Sequence, residues 1–329
     1  MTLTELKYIV AVAREKHFGR AAEACFVSQP TLSVAVKKLE DELDVKLFER
    51  GANEVAITPL GMEIVRQAQS VLEQAGEIRE IARRGKDPLA GPLKLGVIYT
   101  IGPYLLPDLM RQIIERTPQM PLILQENFTL RLLEMLRTGE IDCAILAEPF
   151  PDAGLALAPL YDEPFLAAIP VGHPLAQCAE VTTRQLKDQT MLLLGAGHCF
   201  RDHVLQVCPE FAGFSSHTDG IRKSFEGSSL ETIKHMVAAG MGLTLMPRLA
   251  VSARALTPPA ADQALADDPH DDAALVRYLP VKDADTGDTP TRRVTLAWRR
   301  SFTRYESIAA LRNAIYACAL PGVKRLFPG

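Results

Sequence analysis

The stretch Val27-Ser28-Gln29-Pro30-Thr31-Leu32-Ser33 breaks one helical pattern and opens another, and its reading decides the architecture of the N-terminal part of the chain. Ser28 is a good N-cap, Pro30 suits a first turn, and Val34, Val36 and Leu39 continue an apolar face. On the N-terminal side, Phe18-Gly19-Arg20-Ala21-Ala22-Glu23-Ala24 predicts a short helix whose alanines permit close packing. Before it, Leu3, Leu6, Tyr8-Ile9-Val10, Val12 and Ala13 recur at helical spacing and predict an amphipathic helix. Two short helices, a tight turn and a third helix with polar residues in its first turn read as a helix-turn-helix. Gln29, Thr31 and Ser33 then begin the recognition helix, where side chains reach base edges, while Lys37 and Lys38 lie further along, placed for phosphates. Each alone is equally well a residue on a solvated helix face.

The string from Phe18 to Arg50, ending Lys37-Lys38-Leu39-Glu40-Asp41-Glu42-Leu43-Asp44-Val45-Lys46-Leu47-Phe48-Glu49-Arg50, is more specific. It resembles the winged helix-turn-helix of LysR-type transcriptional regulators. Glu54-Val55-Ala56-Ile57-Thr58-Pro59-Leu60-Gly61 is similar to that family's wing strand and its Thr-Pro-x-Gly exit into a linker helix. The resemblance implies promoter DNA as a partner, with Ser28, Gln29, Pro30, Thr31, Ser33, Lys37, Lys38 and Arg50 as DNA-binding residues. The wing, Arg50-Gly51-Ala52-Asn53-Glu54, carries one basic residue where relatives usually offer more. Weaker wing contacts are expected, and Arg50 is the sole wing candidate.

From Pro59 to about Arg84, Leu60, Ile64, Val65, Val71, Leu72, Ile78 and Ile81 keep helical spacing. About 26 residues at a rise of about 1.5 Å give a rod of roughly 39 Å. A lone helix with such a stripe needs a partner, so dimerisation along it is expected. Gly85-Lys86-Asp87-Pro88 and Gly91-Pro92 mark a boundary. Three domains follow: a DNA-binding domain at 1–58, a linker and dimerisation helix at 59–88, and a regulatory domain at 89–329.

In the regulatory part, strands over Leu93–Val97, Pro121–Gln125 and Ile141–Leu146 alternate with helices over about Gly102–Arg116 and Leu130–Arg137. This alternation predicts an α/β fold with a parallel sheet. Further sets begin at Phe165–Pro170, Met191–Leu194 and Gly242–Pro247. The two halves resemble the two-lobed, periplasmic-binding-protein-like regulatory domain of the same family. The expected division is lobe I at about 89–163 and 276–329 and lobe II at about 164–275, with a crossing near Glu163-Pro164 and a last lobe I strand over Arg293–Trp298. Ligands of such sheets bind beyond the strand ends, beside helix N-termini. Thr100 follows the first strand, and Thr129 is expected to cap the helix after the second. The segment from Ala253 to about Thr291 is rich in Ala, Pro and Asp, and reads as a mobile acidic insertion without assigned function.

Composition narrows the function classes. The chain has 329 residues, 47% of them hydrophobic, and no apolar run approaching the roughly 20 residues of a membrane span. No signal-peptide pattern opens it, which makes the cytoplasm the default and rules against a membrane partner. The net charge of −4 leaves any nucleic-acid claim to local patches. Six cysteines in a reducing compartment are an unlikely structural framework, and a cytosolic disulfide is more often redox-sensing. None forms a C-x-x-C pair and no His/Cys cluster has zinc spacing, so neither a metal nor a cofactor is expected.

Cys199 and Cys208 stand apart. Cys199 lies in Gly197-His198-Cys199-Phe200-Arg201-Asp202, with His198 and Arg201 beside it. Cations near a sulfur favour thiolate, and a thiolate that attacks peroxide becomes a sulfenic acid that a second thiol can capture. The plainer reading is two buried structural cysteines. Gly195–Asp202 with Cys208, together with Thr100-Ile101-Gly102-Pro103-Tyr104-Leu105-Leu106-Pro107, resembles the hydrogen-peroxide-sensing members of the LysR family over nearly the whole chain apart from the acidic insertion. The resemblance implies Cys199 as the peroxide-reactive residue and Cys208 as the resolving one, surrounded by Thr100, Thr129, His198, Arg201, Asp202 and His217. It also implies RNA polymerase as a partner, a homo-oligomer built as a dimer of dimers, and a thiol reductant such as glutaredoxin or thioredoxin. Geometry adds a separate point: nine helical positions separate Cα atoms by about 13 Å. A disulfide tolerates up to roughly 7 Å, so the bond requires remodelling. Two rivals remain: a LysR-type regulator answering a metabolite in the inter-lobe crevice, with structural cysteines, and a thiol peroxidase, which would lack use for a DNA-reading domain. Cys25, Cys143, Cys178 and Cys318 read as structural.

Overall fold

The structure, a computed structural model, describes residues 1–50, 55–83, 89–209, 226–227, 229–256 and 275–327. His217, residues 51–54 and the Asp267–Asp272 run lie outside these. Helix α1 (Leu3–Glu15) starts at a capping box: the Thr2 hydroxyl accepts from the Glu5 N–H and the Glu5 carboxylate accepts from the Thr2 N–H. Helix α2 (Phe18–Ala24) is capped by His17, and α3 (Gln29–Leu43) by Ser28, whose Oγ accepts from the Thr31 N–H. Leu6, Ile9, Val12, Ala21, Leu32, Val36 and Leu39 close one core. Val34, expected on the apolar face, is 67% exposed. At 100° per residue it points about 200° away from both Leu32 and Val36.

Strand β1 (Phe48–Arg50) pairs antiparallel with β2 (Val55–Ile57). The turn into helix α4 (Pro59–Arg83) is fixed by Thr58, whose hydroxyl donates to the Lys46 carbonyl and accepts from the Gly61 N–H. A Cβ at Gly61 would collide with the Leu47 carbonyl, which accounts for glycine there. Part of the α4 stripe is covered within the chain: Ala68 is buried, and Ile64, Val65, Val71 and Leu72 pack on the core of α1–α3. Leu60 and Ile78, eighteen positions and so about five turns apart, remain exposed on one face.

Beyond the linker, β3 (Leu93–Ile98) runs parallel to β4 (Leu122–Asn127) and β5 (Cys143–Ala147), with α5 (Gly102–Arg116) and α6 (Thr129–Thr138) between them. Strand β6 (Leu155–Pro170) is long enough to serve both lobes. The elements that follow include β7 (Val181–Thr182), α7 (Thr183–Leu186), β8 (Leu193–Leu194), α8 (Cys199–Val207), β9 (Glu226–Gly227), α9 (Leu230–Ala238), β10 (Thr244–Pro247), β11 (Val276–Lys282), β12 (Thr291–Arg299) and a C-terminal helix, Tyr305–Ala317. Residues 155–164 of β6 pair with β12, and residues 165–170 pair with β10 and β11. These pairings are antiparallel, so the sheet is mixed rather than wholly parallel.

The acidic segment is shorter than the sequence reading placed it. Val276, Tyr278, Leu279 and Val281 are buried in the second lobe's core, making β11 part of that lobe rather than of the first. The return to the first lobe comes at Pro290, whose carbonyl accepts from the Phe165 N–H beside the outgoing crossing. No helix among the described residues is long and apolar enough to cross a membrane.

Candidate redox site and nucleic-acid interface

Helices α6 and α8 begin at one hollow between the lobes, which the β3–α5 turn at Tyr99 and Thr100 also lines. The N-caps of α5, α6 and α8 are Ile101, Phe128 and His198, and none makes a side-chain capping bond. Thr129 and Cys199, the first residues of α6 and α8, line the hollow, so the positive dipole ends of these two helices lie beside it, an arrangement that favours negative charge. Thr129 is not the cap expected from the sequence. It is the first residue of α6, and its buried hydroxyl makes no hydrogen bond of normal geometry. Phe128 occupies the cap position instead, so the Thr129 side chain stays available to the hollow, which it lines with Tyr99, Thr100, Phe128, His198 and Cys199. The free space accommodates about one water-sized molecule.

Cys199 opens α8 and packs against the first lobe's core, whereas Cys208, at the C-terminal end of the same helix, is buried in the second lobe's core. The Cys208 N–H donates to the Val204 carbonyl at 2.9 Å, so the helical run extends from one sulfur-bearing residue to the other. Neither is in a disulfide. Burial pushes the Cys199 thiol above its ordinary pKa, opposed by the Thr129 hydroxyl across a loose contact and by the Arg292 charge, and reinforced by the Asp202 carboxylate. This corrects the sequence expectation that His198 and Arg201 would hold a thiolate. Arg201 donates from Nη1 to the Leu194 carbonyl at 2.9 Å and does not line the hollow, and Asp202 is exposed.

The cation that does act on the sulfur, Arg292, was missed in the sequence. Its Nε donates to Glu163 Oε2 at 2.8 Å, and its Nη1 and Nη2 donate to the Thr100 hydroxyl and carbonyl at 2.9 and 3.0 Å. The guanidinium also lies 5.3 Å from the centroid of the Phe200 ring on α8. A signal existed: Arg292 occupies the inward phase of β12 with Val294 and Leu296, while Arg293 faces out. Glu163 is held in turn by the Leu249 N–H at 2.7 Å. One buried ion pair thus ties the crossing strand, the Thr100 turn and α8 together. Two further bonds span the lobes. Tyr104 donates to Glu231 Oε1 at 2.7 Å, and His203 Nε2 lies 2.7 Å from the Glu148 carbonyl. Cys143 and Cys318 are buried, with the Cys318 thiol pushed up to about 12 by desolvation. Among the described residues no group of His, Cys, Asp and Glu side chains is arranged to hold a metal.

On the DNA-reading face, Gln29, Pro30, Thr31 and Lys37 are exposed on α3, and Ser33 is half-buried. Ser28 is spent on the cap, sharing a 2.8 Å hydroxyl contact with Thr31. Lys38 departs from expectation. Its Nζ donates to Glu5 at 3.0 Å, pinning α3 to α1 instead of standing free for a phosphate. Arg50 lies on β1, and its side chain is outside the described residues.

A DNA-reading helix-turn-helix joined through a long helix to a two-lobed domain with a buried, polar, sulfur-bearing hollow defines a transcriptional regulator, not an enzyme. Residues 3–62 match the bacterial regulatory helix-turn-helix protein, lysR family, and residues 86–317 match the LysR substrate binding domain. The chain is 43% identical over 251 residues to the DNA-binding transcriptional dual regulator OxyR of Escherichia coli (strain K12), covering 76% of this chain and 80% of that one. Full-length OxyR of Pseudomonas aeruginosa, with an aspartate replacing a cysteine, has a similar structure: TM-score 0.73, 48% identity, coverage of 97% and 99%. A cysteine-to-serine mutant of Corynebacterium glutamicum OxyR, hydrogen-peroxide-bound, matches with TM-score 0.58, 32% identity and coverage of 95% and 91%. The chain belongs to the LysR family of bacterial transcriptional regulators, and within it to the OxyR group.

Proposed function

We propose that this regulator is switched by hydrogen peroxide through a reversible Cys199–Cys208 disulfide and controls antioxidant-defence genes. The observation that carries the reading is the hollow itself: a water-sized space between Thr100, Thr129, His198 and the Cys199 residue, at the N-termini of α6 and α8, with a buried arginine within electrostatic reach. Peroxide bound there meets the Cys199 sulfur. The sulfur attacks one peroxide oxygen, an S–O bond forms, the O–O bond breaks, and the leaving oxygen takes the thiol proton and departs as water. The sulfur of Cys208 then attacks the sulfenic sulfur, forming S–S and releasing a second water, so two thiols are oxidised as one peroxide is reduced. Thr100, Thr129 and His198 position the peroxide, Arg292 favours the anionic sulfur, and Arg201 and Asp202 support α8. His217 keeps its place in the proposed peroxide site on resemblance alone.

The oxidised sulfurs cannot be joined across an intact helix, since about 13 Å of helical rise separates residues nine apart and a disulfide spans at most roughly 7 Å. Bond formation therefore unwinds α8 and repacks what it supports: the Phe200–Arg292 contact and the His203–Glu148 bond between the lobes. DNA is read by Gln29, Pro30, Thr31, Ser33 and Lys37, with Ser28 positioning the recognition helix, Lys38 bracing it and Arg50 as the wing's DNA-binding residue on resemblance alone. The exposed Leu60 and Ile78 on one face of α4 support a dimer, and paired dimers extend the footprint. RNA polymerase completes the activated complex, and a cytoplasmic thiol reductant such as glutaredoxin or thioredoxin resets the switch. Peptide mapping after peroxide treatment, paired with promoter binding by Cys199→Ser, tests the reading. The expected result is a Cys199–Cys208 peptide in the wild type and intact DNA binding without peroxide response in the variant. A full peroxide response in Cys199→Ser would overturn the role of Cys199, and a wild type with neither the Cys199–Cys208 peptide nor a peroxide response would favour the metabolite-responsive alternative.

A further inference from the structure

The three residues that immediately precede the polar groups of the hollow are all aromatic: Tyr99 before Thr100, Phe128 before Thr129 and His198 before Cys199. Each pair stands at the mouth of a helix, and the rings meet although they come from separate loops of both lobes. Phe128 lies 4.8 Å from His198, and Tyr99 lies 5.3 Å from Phe128 and 6.0 Å from His198, centroid to centroid. The Phe128–His198 and Tyr99–Phe128 contacts are edge-on, a favourable packing for rings. Tyr99 and Phe128 are 40% and 38% exposed, whereas Thr100, Thr129 and His198 are buried, so the Tyr99 and Phe128 rings form the outer layer, with the His198 ring and the two hydroxyls beneath them. Gly197, at φ +96°, brings the backbone against Phe128, and a Cβ there would sit 3.4 Å from the ring. Tyr99, Phe128 and His198 thus border a space the size of about one water molecule.

We infer that Tyr99, Phe128 and His198 act as a size filter, admitting hydrogen peroxide to Cys199 and holding back hydroperoxides with bulky organic substituents. The inference rests on the proposed reading of Cys199 as the peroxide-reactive residue. An alkyl or aryl hydroperoxide carries the same O–O group, but its substituent has to occupy the position of the Tyr99 or Phe128 ring when the reactive oxygen reaches the sulfur. Discrimination by shape in a packed site reaches about 10- to 200-fold for small differences in bulk, and a whole aryl group is a larger difference.

The test uses the full-length protein, with Cys199 oxidation followed by rapid acid quench and peptide mass spectrometry. Hydrogen peroxide and cumene hydroperoxide are compared in the wild type, Tyr99→Ala, Phe128→Ala and the double variant. The ratio of the two rate constants is expected to fall by about tenfold or more in the double variant, and Phe128→Leu should lower it less. Because the readout is a ratio within one protein, a general loss of reactivity does not mimic the result. An unchanged ratio, with hydrogen peroxide still oxidising Cys199, would overturn the filter alone. If hydrogen peroxide fails to oxidise Cys199 in the wild type, the reading beneath it falls and takes the filter with it.

Discussion

Cys199 is held between opposing influences: burial and the Asp202 charge favour the thiol, and Arg292, Thr129 and the α8 N-terminus favour the thiolate. With burial dominant, the attacking thiolate is a minority species at neutral pH. Cys199 oxidation should therefore accelerate about tenfold per pH unit through pH 6 to 8. Quenched-flow rates that stay flat over that range would show that the thiolate is already formed. Arg292→Met should slow the reaction and, by leaving Glu163 buried and unpaired, destabilise the fold by about 3–5 kcal/mol. Adding Glu163→Gln should restore most of the melting temperature without restoring the rate, which separates the electrostatic role from the structural one. Arg292 escaped the sequence reading because its effect depends on a strand that returns from far along the chain, whereas Arg201 was conspicuous by adjacency. Adjacency misled: on a helix, a residue two positions from Cys199 points about 200° away from it.

Helix α8 is the element on which the proposed switch depends, and its extent was largely legible. Asp202–Val207 has a helical pattern and Pro209 discourages helix at Cys208, both local signals, although the helix also takes in Cys199. Helix boundaries of the DNA-reading face were legible too, since Ser28, Pro30 and the Thr58–Gly61 exit are local signals. Less legible were partners set by tertiary packing. Lys38 looked equivalent to Lys37 until α1 supplied Glu5, and β11 was hidden in a segment whose neighbours are acidic and proline-rich. On promoter DNA, Gln29→Ala should relax base preference by about 1–3 kcal/mol at its position, and Lys37→Ala should reduce the slope of log affinity against log salt by about one. Lys38→Ala should change that slope less than Lys37→Ala, as measured by fluorescence anisotropy at several salt concentrations. Equal slopes for the two variants would return Lys38 to the phosphate-contacting set.

At the scale of the whole molecule, the bonds that join the two lobes include Tyr104–Glu231 and His203–Glu148, and the second of these titrates. Burial and the nearby Arg292 lower the pKa of His203 below its ordinary 6.5, partly opposed by the Glu148 carbonyl and Asp202. The folded state therefore binds fewer protons there than the unfolded chain, so this contribution is complete above about pH 6.5 and is lost as pH falls below it. Melting temperature should drop between pH 7 and 5.5, and His203→Gln, which retains a donor for Glu148, should shrink the drop. The same bonds are what an unwound α8 would disturb, so oxidation is expected to change the spacing of recognition helices and the length of the footprint while contacts within each half-site persist. The central claim is that disulfide formation melts α8 and loosens the lobe contacts together. Hydrogen exchange on the full-length protein, before and after one equivalent of peroxide, tests this most directly. Amides of 199–208 should lose protection along with those around Tyr104 and Glu148, and Cys208→Ser should show no lasting change. A mapped Cys199–Cys208 disulfide accompanied by unchanged protection of α8 would contradict the account.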